Sequence, residues 1–369
     1  MQRPTRTGNE KYPPLTGVRA LGASIVFFDH FPLQPDAHIT LNVMAFFFAL
    51  SGFLIVRIYY EQVQVNRQWI GKYFLNRFAR IYPVYFLLLT LAVLIQHDTN
   101  PWVLLKNYTL LHGLFHQTPF LIQPSWSLTV EECFYFLAPL FMLLSRRVNS
   151  LGPLAVAAGL LLTALGISRL DIGFLATPNF VLSTTFFGHF AEFFAGFYLA
   201  LAVIRLEKTS PVQVPGAKRT LAGVVGVTLL IGAMLVVYRS PKPDFHWIIL
   251  INNFLIPFPI ALLYWGLIRE DTALSRFLAS PVSGLLGRSS YSFYLLHILV
   301  IDYVSIPFLL PLIGNRALCV LLTFLITWGV SVLLFLGFEE PVNLFLRRKF
   351  RSKESSVGMP ATLFQPRPQ

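Results

Sequence analysis

Ten apolar runs, each near the length of a membrane-spanning helix, constrain this chain more than any other feature. They fall roughly at 15–33, 40–60, 79–97, 127–145, 151–168, 184–205, 219–238, 247–268, 286–308 and 316–338. About 20 apolar residues cross the ~30 Å of bilayer hydrocarbon when they are helical. Backbone N–H and C=O groups find no water there, so each run must satisfy its own hydrogen bonds. The expected fold class is therefore all-α: a polytopic membrane protein with about ten transmembrane helices. Composition agrees, because only 12% of the residues are charged and 55% are hydrophobic, against about 25% charged in soluble domains.

The net charge of +12 does not indicate nucleic acid, since the basic residues sit in short loops between apolar runs. That is the pattern of membrane topology. With the N-terminus placed in the cytoplasm, 24 of the 29 Lys and Arg fall inside and 5 outside, which predicts both termini cytoplasmic. The less apolar stretch 102–122 reads as interfacial or re-entrant, and KYFLNRFARIYP (72–83) as an amphipathic helix entering the third span. Cys133 and Cys319 lie in apolar runs and read as reduced packing residues. One multispanning domain is expected over 1–345, followed by a basic, disordered cytoplasmic tail over 346–369.

Ionisable side chains at membrane depth cost about 2.5–3.5 kcal/mol each, so they are functional candidates. Here they are Arg19, Asp29, His30, Glu131, Glu132, His189, Glu192, His297 and Asp302. Arg19 and His30 are eleven residues apart, which is about 20° past three helical turns, so they share one face about 16 Å apart. Asp29 is rotated about 100° from His30 and serves another face. Arg77 and Arg80 are neighbours on a helix, a fork suited to phosphate oxygens, although cytoplasmic anchoring also explains them. Trp126 suits the outer interface, and Glu131 lies about one turn inside it, where a carboxylate needs a partner. That partner is either an imidazole, which Glu131 would orient, or a structural cation. His297 follows a run of small and hydroxylated residues and also suits a satisfied core histidine. His189 and Glu192 share a face, but no second matching pair accompanies them, so no metal is expected.

The motifs RALGASIVFFDHF (19–31), FFALSGFLI (47–55), RFARIYP (77–83), WSLTVEECFYFLAPL (126–140) and LLGRSSYSFYLLH (285–297) resemble, in order, those of the acyltransferase 3 family. The resemblance covers about 15–300. It implies a membrane O-acyltransferase that moves an acyl group, most often acetyl from acetyl-CoA, to a hydroxyl of a surface or lipid-linked glycan such as a polysaccharide or lipopolysaccharide. It places the protein in the bacterial inner membrane, with acyl-CoA as a co-substrate and no permanently bound cofactor. His30 would be the essential histidine, as a base or transient acyl carrier, with Glu131 beside it. Arg19, Arg77 and Arg80 would hold the donor. Ser51, Trp126, Tyr291 and His297 would bind substrate or support the site. Many members carry an acidic residue before the Phe-Phe-x-Leu-Ser-Gly run, where this chain has Ala45. The extracellular esterase-like domain fused to some members is not expected here. A glycan or lipid-intermediate transporter is the alternative; it would show inverted repeats and no CoA dependence.

Overall fold

The computed structural model describes residues 12–31, 40–170, 172–207 and 214–356. Among them the chain is all-helical, with two isolated bridges, Phe115 to Phe174 and Val214 to Glu270. Eight helical stretches are long and apolar enough to cross a membrane. The two other expected spans fall short. Helix α1 (Pro13–His30) has 18 residues and carries Arg19, Asp29 and His30. Helix α6 (Gly152–Ile167) has 16, about 24 Å of rise.

The remaining elements, in order, are α2 (Thr40–Tyr59), α3 (Arg67–Gln96), α4 (Pro101–Tyr108), α5 (Trp126–Arg147), α7 (Pro178–Thr184), α8 (Phe186–Leu206), α9 (Lys218–Tyr238), α10 (Phe245–Leu250), α11 (Pro257–Arg269), α12 (Ala273–Leu278), α13 (Pro281–Val300), α14 (Leu310–Ile313), α15 (Arg316–Leu334) and α16 (Glu340–Ser356). Three wider π-type turns interrupt spans at Ile251–Leu255, Ile301–Leu309 and Phe335–Glu339. The amphipathic entry helix and the third span are one 30-residue helix, α3, begun by Asn66 accepting from Trp69 N–H. The stretch 102–122 holds α4 and short turns. They are pinned by buried Asn107, whose amide donates to the Val103 and Pro119 carbonyls and accepts from Leu121 N–H. The expected tail from 346 is instead helical through Ser356 within α16, because Leu344 and Arg347 reach back to a cavity wall. Residues 357–369 lie outside the described residues.

Two close seams position the interior. At the α2–α8 seam, a Cβ on Gly52 would lie 2.0 Å from the Phe193 carbonyl oxygen, and one on Gly196 would lie 1.8 Å from that of Ala49. Small residues let membrane helices approach to backbone contact, where dispersion drives association. At the α1–α13 seam, Gly287 meets the Thr16 backbone, a Cβ there falling 2.0 Å from the Thr16 oxygen. Phe27 packs on Phe293, which stacks on Trp328 of α15 at 4.0 Å. The start of α1 is clamped by Tyr12 and Arg57, which both bond Glu207 at 2.6 Å.

Candidate active site

A cavity of about 1010 Å³ runs between these helices, at the upper end for small-molecule sites. Its walls order the chain consistently. One end is lined by Gln62, Ser280, Asn343 and Arg347; the other by Met44, Phe47, Ser127 and Tyr294. From Ser280 to Tyr294 along α13 is about 21 Å. Arg19, Ser51, Arg77, Arg80, Glu131, Tyr135 and Tyr291 line it between those ends.

The arginines are not equivalent. Arg80 pairs with Glu339, whose other oxygen accepts from Ser292 Oγ at 2.6 Å. Arg77 lies over the rings of Tyr59 and Tyr135, 5.6 Å from each centroid, and donates to Tyr59 Oη at 3.5 Å. Its Nε is buried with no hydrogen-bond partner. Among the described residues no carboxylate forms an ion pair with Arg77 or Arg19. Two guanidiniums without counter-ions beside a cavity form a site for an anion, since an unpaired buried charge is expensive. Tyr291 donates to the Ile81 carbonyl at 2.8 Å and carries Arg80 over its ring at 5.8 Å. It therefore bolts α13 to α3 beside the arginine pair.

Glu131 accepts hydrogen bonds from Ser51 Oγ and Tyr135 Oη, and its carboxylate is within electrostatic range of Arg19. It does not meet His30. The expected Glu131–His30 contact is replaced by two separate clusters, because α5 presents Glu131 to α2 whereas His30 of α1 faces α13. Trp126 also stands apart from the cavity wall, packed on Phe48 and on His189 at 5.7 Å. His189 bonds Glu192 at 3.0 Å and approaches the Ser183 carbonyl at the same distance, a closed and fully buried arrangement.

His30 and His297 lie one turn past the inner end. His297 follows Tyr294 by three residues, with ring centroids 5.8 Å apart. His297 Nδ1 is 2.6 Å from the Tyr294 carbonyl, and its Nε2 is 3.5 Å from His30 Nδ1. His30 Nδ1 is also 2.9 Å from the Val26 carbonyl. Carbonyl oxygens only accept, so each Nδ1 must carry the proton. That leaves His297 Nε2 as an acceptor toward His30 and leaves the lone pair of His30 on Nε2. The carboxylate of Asp302, in the π-type turn that follows, lies within electrostatic range of His30. The sequence reading missed Glu339, Tyr59, Tyr135 and Arg347. The acidic pair in GFEEP, beside a proline at the end of a span, was the available signal for Glu339.

The chain is a helical bundle with an arginine-lined cavity and a histidine pair one turn past its inner end. The chain belongs to the acyltransferase 3 family, whose model, described as an acyltransferase domain, matches residues 14–336. It is an O-acyltransferase. Among curated proteins it is similar to acyltransferase MdmB of Streptomyces mycarofaciens, 28% identical over 329 residues, covering 79% of this chain and 80% of that one. It is also similar to peptidoglycan O-acetyltransferase OatA of Listeria monocytogenes, 25% identical over 166 residues, 39% of this chain and 26% of OatA. A candidate O-acetyltransferase of Staphylococcus aureus is 22% identical over 325 residues, and the chain spans about half of it, 51%. No solved structure matches.

Proposed function

We propose that this enzyme takes an acyl group, acetyl in the first instance, from acyl-CoA on the cytoplasmic side and transfers it to a hydroxyl of a surface or lipid-linked glycan. Both termini are placed in the cytoplasm, and the membrane is a bacterial inner membrane. The observation that carries the reading is the cavity itself, with Arg19 and Arg77 unpaired by carboxylates in its wall and the histidine pair at its inner end. Its mouth is formed by segments that the basic-residue distribution assigns to the cytoplasm. Peptidoglycan O-acetyltransferase OatA supports both the acetyl group and an envelope glycan as acceptor.

Donor phosphates would sit on Arg19 and Arg77, with Arg80 held ready by Glu339. The thin pantetheine arm would pass Phe47, Met44 and Tyr294 toward His30. His30 Nε2 takes the proton of the acceptor hydroxyl while that oxygen attacks the thioester carbonyl. The C–S bond breaks, and the imidazolium returns the proton to the thiolate, giving the glycan ester and free CoA. The Val26 carbonyl holds His30 in the productive tautomer, and His297 Nε2 accepts from the same Nδ1 proton. Glu131, rather than orienting His30, fixes Ser51 and Tyr135 in the wall.

In membranes carrying the protein, label from acetyl-CoA is expected to reach the envelope glycan fraction; no protein-dependent transfer overturns the proposal. Arg19→Ala and Arg77→Ala should each raise the KM for acetyl-CoA about tenfold or more, the loss expected for one charge-assisted hydrogen bond, with a smaller change in kcat. Unchanged KM in both variants, read from initial rates, removes these residues from the donor site.

A further inference from the structure

We propose that Glu132 is a positioning residue for the donor site, a role that rests on the donor reading above. It balances the charge of Arg77 from behind, without taking the N–H groups that a donor phosphate needs. A carboxylate at membrane depth is expensive and therefore a functional candidate. Glu131 is already occupied by Ser51 and Tyr135. Glu132 follows it on α5, about 100° round the helix, and the cavity wall does not include it.

Contacts between α3 and α5 place the two residues together. The helices run antiparallel. Gln96, at the end of α3, donates to the Leu121 carbonyl just ahead of α5, whereas Tyr73, near the start of α3, donates to the Tyr135 carbonyl at 2.8 Å. Phe74 meets Phe136 one residue further along each helix, with ring centroids 6.0 Å apart. From that contact Arg77 is three residues on along α3, about 4.5 Å of rise. Glu132 is four residues back along α5, about 6 Å of rise in the same direction. Steps of three and four keep a residue on one helix face. Both residues therefore stay in the α3–α5 seam and stand at nearly the same height.

Each brings an unsatisfied atom to that height. Glu132 Oε1 and Arg77 Nε are both buried without a hydrogen-bond partner, and the two groups lie within electrostatic range of one another. Among the described residues they form no ion pair. Arg80 is the contrast, because Glu339 pairs with it directly. Arg77 receives its counter-charge across a gap, and its N–H groups stay available in the cavity wall. The same negative charge also reaches a phosphate bound at Arg77 and weakens its hold. Spent CoA carries the phosphates of the donor, so a grip moderated in this way lets the product leave.

The test is calorimetric binding of CoA to purified full-length protein in lipid nanodiscs. Glu132→Gln is expected to tighten binding about threefold or more, because the carboxylate no longer offsets Arg77. In an Arg77→Ala background the same substitution should change binding by less than about 1.5-fold, as a double-mutant cycle reads coupling between the two. Unchanged or weaker binding in Glu132→Gln, the result of a merely structural carboxylate, overturns the inference, and so does an equal shift in both backgrounds. If Glu132→Gln does not fold, Arg77→Gln in the same chain should restore folding by removing the unbalanced cation; no restoration overturns the inference as well. Wild-type binding by Arg77→Ala removes Arg77 from the donor site, and Glu132 with it. No binding of CoA by the wild type overturns the donor reading itself.

Discussion

Replacing His30 with alanine is expected to lower acetyl transfer by about 10²–10⁴-fold, the range for loss of a positioned general base. The argument rests on proton bookkeeping. Two carbonyls, of Val26 and Tyr294, fix the Nδ1 protons of the pair, so His30 Nε2 is the nitrogen able to take a proton. Phe27, one turn before His30, is locked on Phe293 and Phe324, so the variant should keep its fold. Donor binding should change little, because the cavity wall does not include His30. His297→Ala should have a smaller effect on kcat, since the Val26 carbonyl still holds the His30 tautomer. Wild-type transfer rates in a folded, inserted His30→Ala protein would remove the histidine from the chemistry.

The largest expected effect on stability comes from a single methyl group. Gly196→Ala should destabilise the protein by about 3 kcal/mol or more, the upper end of overpacking costs. The added Cβ would lie 1.8 Å from the Ala49 oxygen and 2.7 Å from Phe53 N, and backbone atoms cannot rotate away as a side-chain tip can. Relief requires α2 and α8 to part, which would move Ser51 out of the cavity wall. Gly232, in α9, is the matched control, with nothing within 4 Å of its added Cβ. There the same change should be neutral or stabilising by up to about 1 kcal/mol, because alanine is the better helix former. Thermal unfolding of the two variants in one detergent decides it; equal midpoints would show that the seam is not tight.

Residues that carry their own signal were legible in the sequence. Arg19, Arg77, Arg80, Ser51 and Glu131 all line one cavity, and each was marked by charge or motif inside an apolar run. The fold class was legible for the same reason, since apolar length is a property of one segment at a time. Pairings between segments were not. Helix arithmetic gives the face of α1 that carries His30 but not the helix that covers it, so Glu131 was matched to His30 where the chain supplies His297. The placing of Asp29 about 100° round the helix from His30 needs one helix alone. The end of the chain was misread because α16 is polar in composition: its basic residues look like a solvated tail until Arg347 is seen against the cavity. Among the described residues, α6 falls short of the expected spans in length, at 16 residues, and α1 in apolar character, because it carries Arg19, Asp29 and His30.

The hydroxyls of α15 have a consequence for how the protein is made. Thr323, Thr327 and Ser331 are buried, and each donates to the carbonyl four residues earlier at 2.6–2.7 Å. Bonds of this kind close within a single helix, so α15 can enter lipid with its hydroxyls already satisfied. Helix α1 has no such self-sufficiency. Its His30 meets a partner 267 residues further along the chain, and its Arg19 sits in a cavity that five later helices, α2, α3, α5, α13 and α16, help to line. Helix α1 leaves the ribosome before these partners and is thus among the least able to rest alone in the bilayer. The histidine pair comes together only when α13 arrives, so a chain that stalls in the membrane before that point lacks the proposed reactive centre.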